Sequence, residues 1–316
     1  MIYDMYILIK IKNRLRRLCN NLHRYDFHSS NNGWVKIINK PVYGDEITGS
    51  VFDPYSFIYK GHIKMLVSER KTGTLSCIIS TNGINWSGRQ LILEGIYGTW
   101  QNSVNRGCLL FNNGKWHLWY TGQNNVKSSI GYAVSIDGVV FKRMNNCDPV
   151  LEPEFFFEGN SVMNPCVLWD EESKLYKMWY SAGEMYEPDV ICYATSTDGC
   201  DWKKNSQPVL DVYPKHKWER YKIGGCSIIK NNHGYMMYYI GYQNMDVARI
   251  CFAYSKDGIN WERPGNNYII GPSKGCWDSD AVYKPSVLEY NNKLYLWYNG
   301  RRKNKEYIGL AIKNHS

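Results

Sequence analysis

The sequence lacks the long apolar runs and the short motifs that mark several large classes of protein. Its 316 residues contain no apolar stretch of the length that a membrane-spanning helix requires. The motifs H-E-x-x-H, G-x-x-x-x-G-K-[ST] and G-x-G-x-x-G are absent, as are the paired C-x-x-C segments of zinc sites. We therefore expect no transmembrane helix, no protein-bound transition metal and no cofactor.

A secretion signal is also missing. The N-terminal apolar run covers only residues 5–9 and is followed at once by several Lys and Arg residues. Together with the absence of a membrane span, this predicts a cytoplasmic protein.

Residues 163–202 form a unit around which the rest of the chain is organised. An apolar run at 166–169, an aromatic run at 175–181 and a third run at 190–196 are predicted strands. The third leads to Asp198-Gly199, a strong hairpin signal, and a fourth strand begins at Trp202. Four antiparallel strands without a helix are typical of one β-propeller blade.

This unit recurs along the chain. The aromatic strand appears five times, at residues 64–68, 116–121, 177–181, 235–240 and 294–299, and the hairpin signature S-x-[DN]-G-x-x-[WF] follows the first four copies. Residues 34–43 resemble the segment after each hairpin, so we expect them to pair with residues 307–313 and close the fifth blade. The sequence thus predicts an all-β fold, a five-bladed β-propeller of four-stranded antiparallel blades over residues 34–316.

Residues 1–33 precede the repeat and are predicted to be a short N-terminal helix and a linker. Residues 5–24 place apolar side chains on one helical face and cations on the other, a basic amphipathic pattern. The preferred interpretation is a helix packed on the propeller, and the alternative is peripheral contact with the inner face of the membrane. Because this segment carries most of the net charge of +9, nucleic acid is not an expected partner.

One face of the predicted ring collects the starts of the inner strands and the loops after the second strands. Different residue types occupy the equivalent positions, which indicates a site and not a structural repeat. The candidates are Asp53, Arg106, Asn164 and Lys284 on inner strands, Glu69, Arg70, Glu184 and Arg301 in loops, and Trp277, Asp278 and Asp280 just before the fifth inner strand. An aromatic surface with carboxylates is typical of sugar binding.

The sequence resembles the five-bladed propeller glycosidases, the superfamily of glycoside hydrolase families 32, 43, 68, 117 and 130, over residues 34–313. The resemblance rests on Asp53-Pro54, like the D-P of the base in family 43 or the nucleophile in family 32, and on the recurring x-P-x-V-L segment before an M-W-Y strand. Asn164 stands where family 43 has Asp, and Ile223 and Gly224 stand where families 43 and 32 have the Glu of the fourth inner strand. The resemblance implies a glycosidase-like enzyme whose acid is supplied by another residue.

This resemblance implies two carboxyl groups flanking a glycosidic bond. Asp53 is the predicted base or nucleophile, held ionised by Arg106 and Lys284. Glu184 is the first candidate for the acid and Asp280 the second, while Glu69 and Asp278 remain further choices. The predicted substrate-binding residues are Glu69, Arg70, Arg106, Asn164, Asp278, Lys284, Arg301 and Trp277. Their cations suit an anionic or phosphate-bearing carbohydrate, so hydrolysis and phosphorolysis both remain open.

Two other functions fit the same pattern. A cytoplasmic glycosyltransferase of surface-polysaccharide synthesis would account for the missing acid, the basic face and the basic N-terminal segment. A non-catalytic sugar-binding propeller would need no acid.

Overall fold

The described part of the chain, Arg24 with residues 28–37 and 40–314, is almost entirely β-structure in this computed structural model. Its helical segments are three single turns of 3-10 helix, at Asn145–Cys147, Phe156–Glu158 and Lys217–Glu219. No helix in this part is long and apolar enough to cross a membrane. Apart from Arg24, the predicted helix over residues 5–24 lies outside the described residues.

The strands form five four-stranded antiparallel meanders, each running from an inner to an outer strand. They are β2 (Val51–Tyr59), β3 (His62–Glu69), β4 (Thr74–Ser80) and β5 (Ser87–Glu94); β6 (Ser103–Asn112), β7 (Lys115–Gln123), β8 (Ser128–Ser135) and β9 (Lys142–Arg143); β10 (Ser161–Asp170), β11 (Leu175–Gly183), β12 (Val190–Ser196) and β13 (Lys203–Lys204); β14 (Lys222–Asn231), β15 (Gly234–Tyr242), β16 (Ala248–Ser255) and β17 (Tyr268–Ile270); and β18 (Ala281–Tyr290), β19 (Lys293–Arg302), β20 (Lys305–Asn314) and β1 (Val35–Lys36). The predicted all-β fold is confirmed.

The turns between third and fourth strands are held by their own side chains. In the second meander, Gly138 N–H donates to Ser135 Oγ (2.9 Å). The backbone N–H groups of Val139 and Val140 donate to Asp137 Oδ1 (2.8 and 3.0 Å). Gly138 has φ +74°, which glycine adopts without a Cβ clash. The same pattern recurs in the first, third and fourth meanders. These aspartates and the Asn of the first meander therefore form turns.

The meanders contact one another in a closed ring. The inner strands β2, β6, β10, β14 and β18 each contact the next, and β18 contacts β2. Tryptophans of second strands donate their indole N–H to a glycine carbonyl in the turn of the following meander. These bonds join Trp119 to Gly199 (2.8 Å), Trp179 to Gly258 (2.8 Å) and Trp297 to Gly83 (2.9 Å). The last of them connects the fifth meander to the first, so side chains also close the ring.

Four meanders share a type of buried polar cluster, which we call the clip, that ties the segment before the inner strand to the second strand and to the outer part of the meander. In the third meander, Glu158 accepts hydrogen bonds from Tyr180 OH (2.8 Å) and Lys204 Nζ (2.7 Å). The clips of the second to fifth meanders are Gln101–Tyr120–Arg143, Glu158–Tyr180–Lys204, Glu219–Tyr239–Arg263 and Asp278–Tyr298–Lys36. Their acidic groups are buried, and a buried carboxylate must be paired and hydrogen-bonded to be tolerated.

The fifth meander takes its outer strand from the N-terminal part of the chain. In the β1–β20 pair, Val35 lies opposite Ile312, and a separate bridge joins Tyr43 to Ile308. These contacts fall within the two segments that the sequence predicts to pair. Lys36 Nζ reaches Asp278 Oδ2 (2.6 Å) and completes the fifth clip. Strand β1 therefore occupies the place that the fourth strand has in the other meanders.

Candidate functional site

A cavity of about 340 Å³ opens at the end of the ring where the inner strands begin. Its wall consists of the first residues of the inner strands and of the loops that follow the second strands. Because neighbouring strands are antiparallel, the Asp-Gly turns lie at the opposite end. The volume is within the usual range of small-ligand pockets, about 300–1,000 Å³.

Each inner strand is interrupted by a bulge at the cavity. The bulged residue has a left-handed backbone conformation in all five meanders, namely Asp53 (φ 54°), Arg106 (54°), Asn164 (56°), Gly225 (39°) and Lys284 (48°). Four of their backbone N–H groups donate to a side chain on the second strand of the preceding meander, with acceptors Ser68, Thr121, Ser181 and Asn299 (2.7–3.1 Å). Bulges redirect side chains, and strained backbone of this kind clusters at functional sites.

Asp53 lies at the centre of this arrangement. Its side chain is buried, and Oδ2 has no hydrogen-bond partner among the described residues. Arg106 Nε lies 3.6 Å from that oxygen. Burial nevertheless raises the pKa of Asp53 above its ordinary value, because it outweighs the attraction of Arg106 and Lys284, which lowers the pKa. Arg106 and Lys284 thus favour the ionised form of Asp53, as the sequence predicts, but burial opposes them and has the larger effect on the pKa.

The four predicted cations all line the cavity but differ in their partners. Arg70 donates two hydrogen bonds to Glu306 Oε2 (2.6 and 2.9 Å), and Arg106 donates to Asn105 Oδ1 (3.1 Å) as well as facing Asp53. In contrast, Lys284 and Arg301 form no salt bridge with any residue that the structure describes, although Lys284 is buried. Two unpaired cations in one cavity provide a place for an anionic group.

The structure brings seven of the eleven predicted site residues to the cavity and places four elsewhere. The lining residues are Asp53, Glu69, Arg70, Arg106, Asn164, Lys284 and Arg301. Glu69 forms two hydrogen bonds with Arg89 (2.6 and 2.7 Å), and Asn164 Nδ2 donates to Ser181 Oγ (3.2 Å).

The other four lie outside the lining for separate reasons. Glu184 is exposed and pairs with Lys222. Asp280 accepts a hydrogen bond from the Lys303 N–H (2.7 Å). Asp278 belongs to the fifth clip, and Trp277 stacks on the tyrosine of the same clip, with ring centroids 6.0 Å apart. The predicted aromatic wall for a sugar is thus a buried structural cluster.

Further polar groups line the cavity besides the eleven predicted site residues. They are Asn105, Gln123, Glu187, Tyr242, Asp246, Tyr283 and Glu306. Gln123 and Arg301 both lie at the end of a second strand, and the sequence predicts them on this face. Tyr242 occupies the equivalent position in the fourth meander, so alignment of the second strands could have identified it. Glu187 lies in the β11–β12 loop, residues 184–189, which is longer than the loops at 70–73 and 124–127. That extra length was the available signal.

No group of His, Cys, Asp and Glu suited to hold a metal ion occurs in the part of the chain that the structure describes. The cavity itself is lined by carboxyl groups, tyrosines and cations.

Comparison with known proteins gives this arrangement a context. The profile of the glycosyl hydrolases family 32 N-terminal domain matches residues 76–224. An uncharacterized protein of Mycobacterium tuberculosis (strain ATCC 25618 / H37Rv) is 29% identical over 208 residues, which cover 62% of this chain and 66% of that protein. A beta-1,2-mannobiose phosphorylase of Thermoanaerobacter sp. (strain X514) is 26% identical over 279 residues, covering 67% of this chain and 90% of the phosphorylase.

The solved structures agree on the fold. A thermostable family-43 glycoside hydrolase superposes with a TM-score of 0.66 at 17% identity, covering 83% of this chain and 88% of the hydrolase. The sequence matches are to proteins of the glycoside hydrolase and phosphorylase type. The chain is thus similar in sequence and in fold to β-propeller glycosidases, as its sequence resemblance implies.

Proposed function

We propose that this protein cleaves a glycosidic bond in the cavity and transfers the glycosyl group to inorganic phosphate. The observation that carries the proposal is the juxtaposition of Asp53 with Lys284 and Arg301, the two lining cations without a salt bridge to a described residue. Lys284 and Arg301 would hold the phosphate, and Asp53 Oδ2 would accept a hydrogen bond from the sugar that is transferred. The phosphorylase relative supports a manno-oligosaccharide as the substrate.

The scaffold supports this assignment. We infer that the five meanders are five propeller blades, with residues 34–43 closing the fifth. The inner-strand contacts, the tryptophan bonds and the Lys36–Asp278 pair favour this architecture. The cytoplasmic location and membrane contact through residues 5–24 stay predictions.

Hydrolysis is the second candidate. It is favoured by Asp53, whose Oδ2 has no partner among the described residues and could take a proton from an attacking water molecule. The two reactions differ in product, because hydrolysis releases the free sugar whether or not phosphate is present.

The test is to incubate the purified protein with β-1,2-linked manno-oligosaccharides, with and without phosphate, and to identify the products by chromatography and ³¹P NMR. We expect mannose 1-phosphate only when phosphate is present. Lys284→Met should raise the KM for phosphate by about tenfold or more, since a charged hydrogen bond contributes about 1.5–3 kcal/mol. Arg302→Met is the matched control, because Arg302 is exposed and bonds Gly275 O.

Each outcome separates the alternatives. Free mannose in both conditions would replace phosphorolysis by hydrolysis. No cleavage of any linkage in a wider panel of oligosaccharides, together with measurable sugar binding, would favour the non-catalytic alternative.

A further inference from the structure

We infer that Glu187 donates the proton to the leaving oxygen of the glycosidic bond, and that Lys222 and Gly224 position it from the neighbouring inner strand. The inference rests on the proposed glycosidic cleavage but not on the choice between phosphate and water. It assigns the role to a residue that the sequence pattern does not indicate.

The β11–β12 loop reaches the cavity because the fourth inner strand leaves room for it. A Cβ on Gly224 would lie 2.5 Å from Pro188 Cγ, too close for any side chain larger than hydrogen. Gly224 directly precedes the bulged residue, where the first, second and fifth meanders carry Phe52, Asn105 and Tyr283. With no side chain at this point, Pro188 packs on the strand and Glu187 enters the cavity wall.

Lys222 forms three polar contacts with the same loop. The buried Lys222 Nζ donates to Glu187 O (2.9 Å), contacts Asp189 Oδ1 (3.1 Å) and pairs with Glu184. The backbone adds a hydrogen bond from Ile223 N–H to Asp189 O (3.2 Å). The loop is therefore held on both sides of Glu187 and at its own carbonyl group.

The surroundings of Glu187 favour its protonated form. Burial raises the pKa of Glu187, and Glu184 and Asp246 raise it further, whereas Arg301 and Lys222 lower it. Tyr242 also lies close enough to interact electrostatically with Glu187. A carboxyl group with a raised pKa, facing a substrate cavity, can act as a general acid near neutral pH.

The proposed step conserves atoms and electrons. The bond between the anomeric carbon and the glycosidic oxygen breaks, and its electron pair stays on that oxygen, which takes the proton from Glu187. An oxygen of the hydrogenphosphate dianion forms the new bond to the anomeric carbon. In hydrolysis the oxygen of water forms this bond and gives up one proton to Asp53. Glu187 becomes a carboxylate and regains a proton from solvent.

The direct test compares Glu187→Gln with Glu184→Gln, two carboxylates on one loop. Both are assayed on β-1,2-mannobiose and on 2,4-dinitrophenyl β-mannoside, whose leaving group needs no proton. Glu187→Gln should lower kcat/KM for mannobiose by about a hundredfold or more and affect the dinitrophenyl substrate much less. Glu184→Gln should cause a far smaller loss, because Glu184 lies outside the cavity lining.

The pH profile of kcat/KM tests the positioning role of Lys222. Removing the cation in Lys222→Met should shift the basic limb of kcat/KM to higher pH, since Lys222 lowers the pKa of Glu187. Glu184→Gln should shift it to lower pH, because Glu184 raises that pKa. Lys222→Arg keeps the charge and should restore the position of the limb, whereas a residue that only supports folding would change the melting temperature and not the limb.

The outcomes distinguish this inference from the proposed function. If the wild-type protein cleaves mannobiose and Glu187→Gln retains the rate and the basic limb, Glu187 is not the acid and the proposed function stands. An equal loss on both substrates would also overturn the assignment. If the wild-type protein cleaves no glycoside, the proposed function fails and the Glu187 role with it. Gly224→Ala gives an independent check, because displacement of Pro188 should reproduce the leaving-group dependence of Glu187→Gln.

Discussion

Replacing Lys36 by Met should destabilise the ring strongly, because Lys36 connects the N-terminal strand to the fifth clip. Lys36 Nζ donates to Gly271 O (2.7 Å), Ser273 Oγ (2.8 Å) and Asp278 Oδ2 (2.6 Å), and the two charged side chains are only 11% and 2% exposed. Burial lowers the pKa of Lys36 despite the attraction of Asp278, so desolvation offsets much of the Coulomb gain. The loss in the variant comes mainly from leaving Asp278 buried without its cation.

Removing one partner of a buried pair costs about 3–5 kcal/mol. Urea unfolding followed by tryptophan fluorescence measures this loss directly. The double variant Lys36→Met, Asp278→Asn should lose less than the sum of the two single variants, because the isolated charge is gone. Lys305→Met is the control, since Lys305 pairs with Glu46 at the surface, where both side chains are more than half exposed, and should change stability by less than about 1 kcal/mol. A loss below about 1 kcal/mol for Lys36→Met, or strict additivity, would refute the reasoning.

Two further predictions concern the cavity and the ring contacts. Asp53→Asn should lower turnover by about a hundredfold or more. Because the pKa of Asp53 is raised by burial, ionisation destabilises the native state as pH rises above the ordinary value of 3.8, so the variant should melt at a higher temperature than wild type at pH 7 and at a similar one at pH 4. Gly83→Ala should destabilise more than Gly61→Ala. Both glycines have φ near +76° (75° and 76°), but a Cβ on Gly83 would meet Trp297 Cζ2 at 2.7 Å, whereas Gly61 faces open space. Equal melting temperatures for the two alanine variants would contradict the proposed role of the Trp297 contact.

Much of the fold could be predicted because its signals are local. A serine, an Asp-Gly pair and an aromatic residue at fixed spacing form a turn through bonds within a few residues, so each copy marks the end of a third strand. The outer strand of the fifth meander could be inferred from two facts. The last meander lacks a segment after its third strand, and a segment of that type, residues 34–43, precedes the first meander. The end of the ring that holds the cavity followed from strand direction alone.

The direction of the pKa shift of Asp53 and the choice among loop carboxylates could not be predicted in this way. Cations near Asp53 are visible in the sequence, but the extent of its burial depends on all five inner strands, and burial is the larger effect on its pKa. Glu184 and Glu187 are three residues apart on one loop. Only the contacts of Lys222 with that loop and the missing side chain at Gly224 decide which of them enters the cavity.

The sequence pattern predicts Asp278 and Trp277 in the sugar site, whereas the structure places them at the fifth clip, and the reason is different. An aromatic residue followed by a carboxylate was interpreted as a sugar-binding pair, yet the same combination precedes the inner strands of several meanders, as Phe157-Glu158 and Trp218-Glu219. Where a function needs one site, equivalent positions differ, as Asp53, Arg106 and Lys284 do. Where several meanders need the same buried hydrogen-bonded cluster between their strands, the positions repeat, as the clips of four meanders do. In a ring built from similar units, the carboxylates that break the repeat are therefore better candidates for chemistry than those that follow it, and Asp53 and Glu187 both break it.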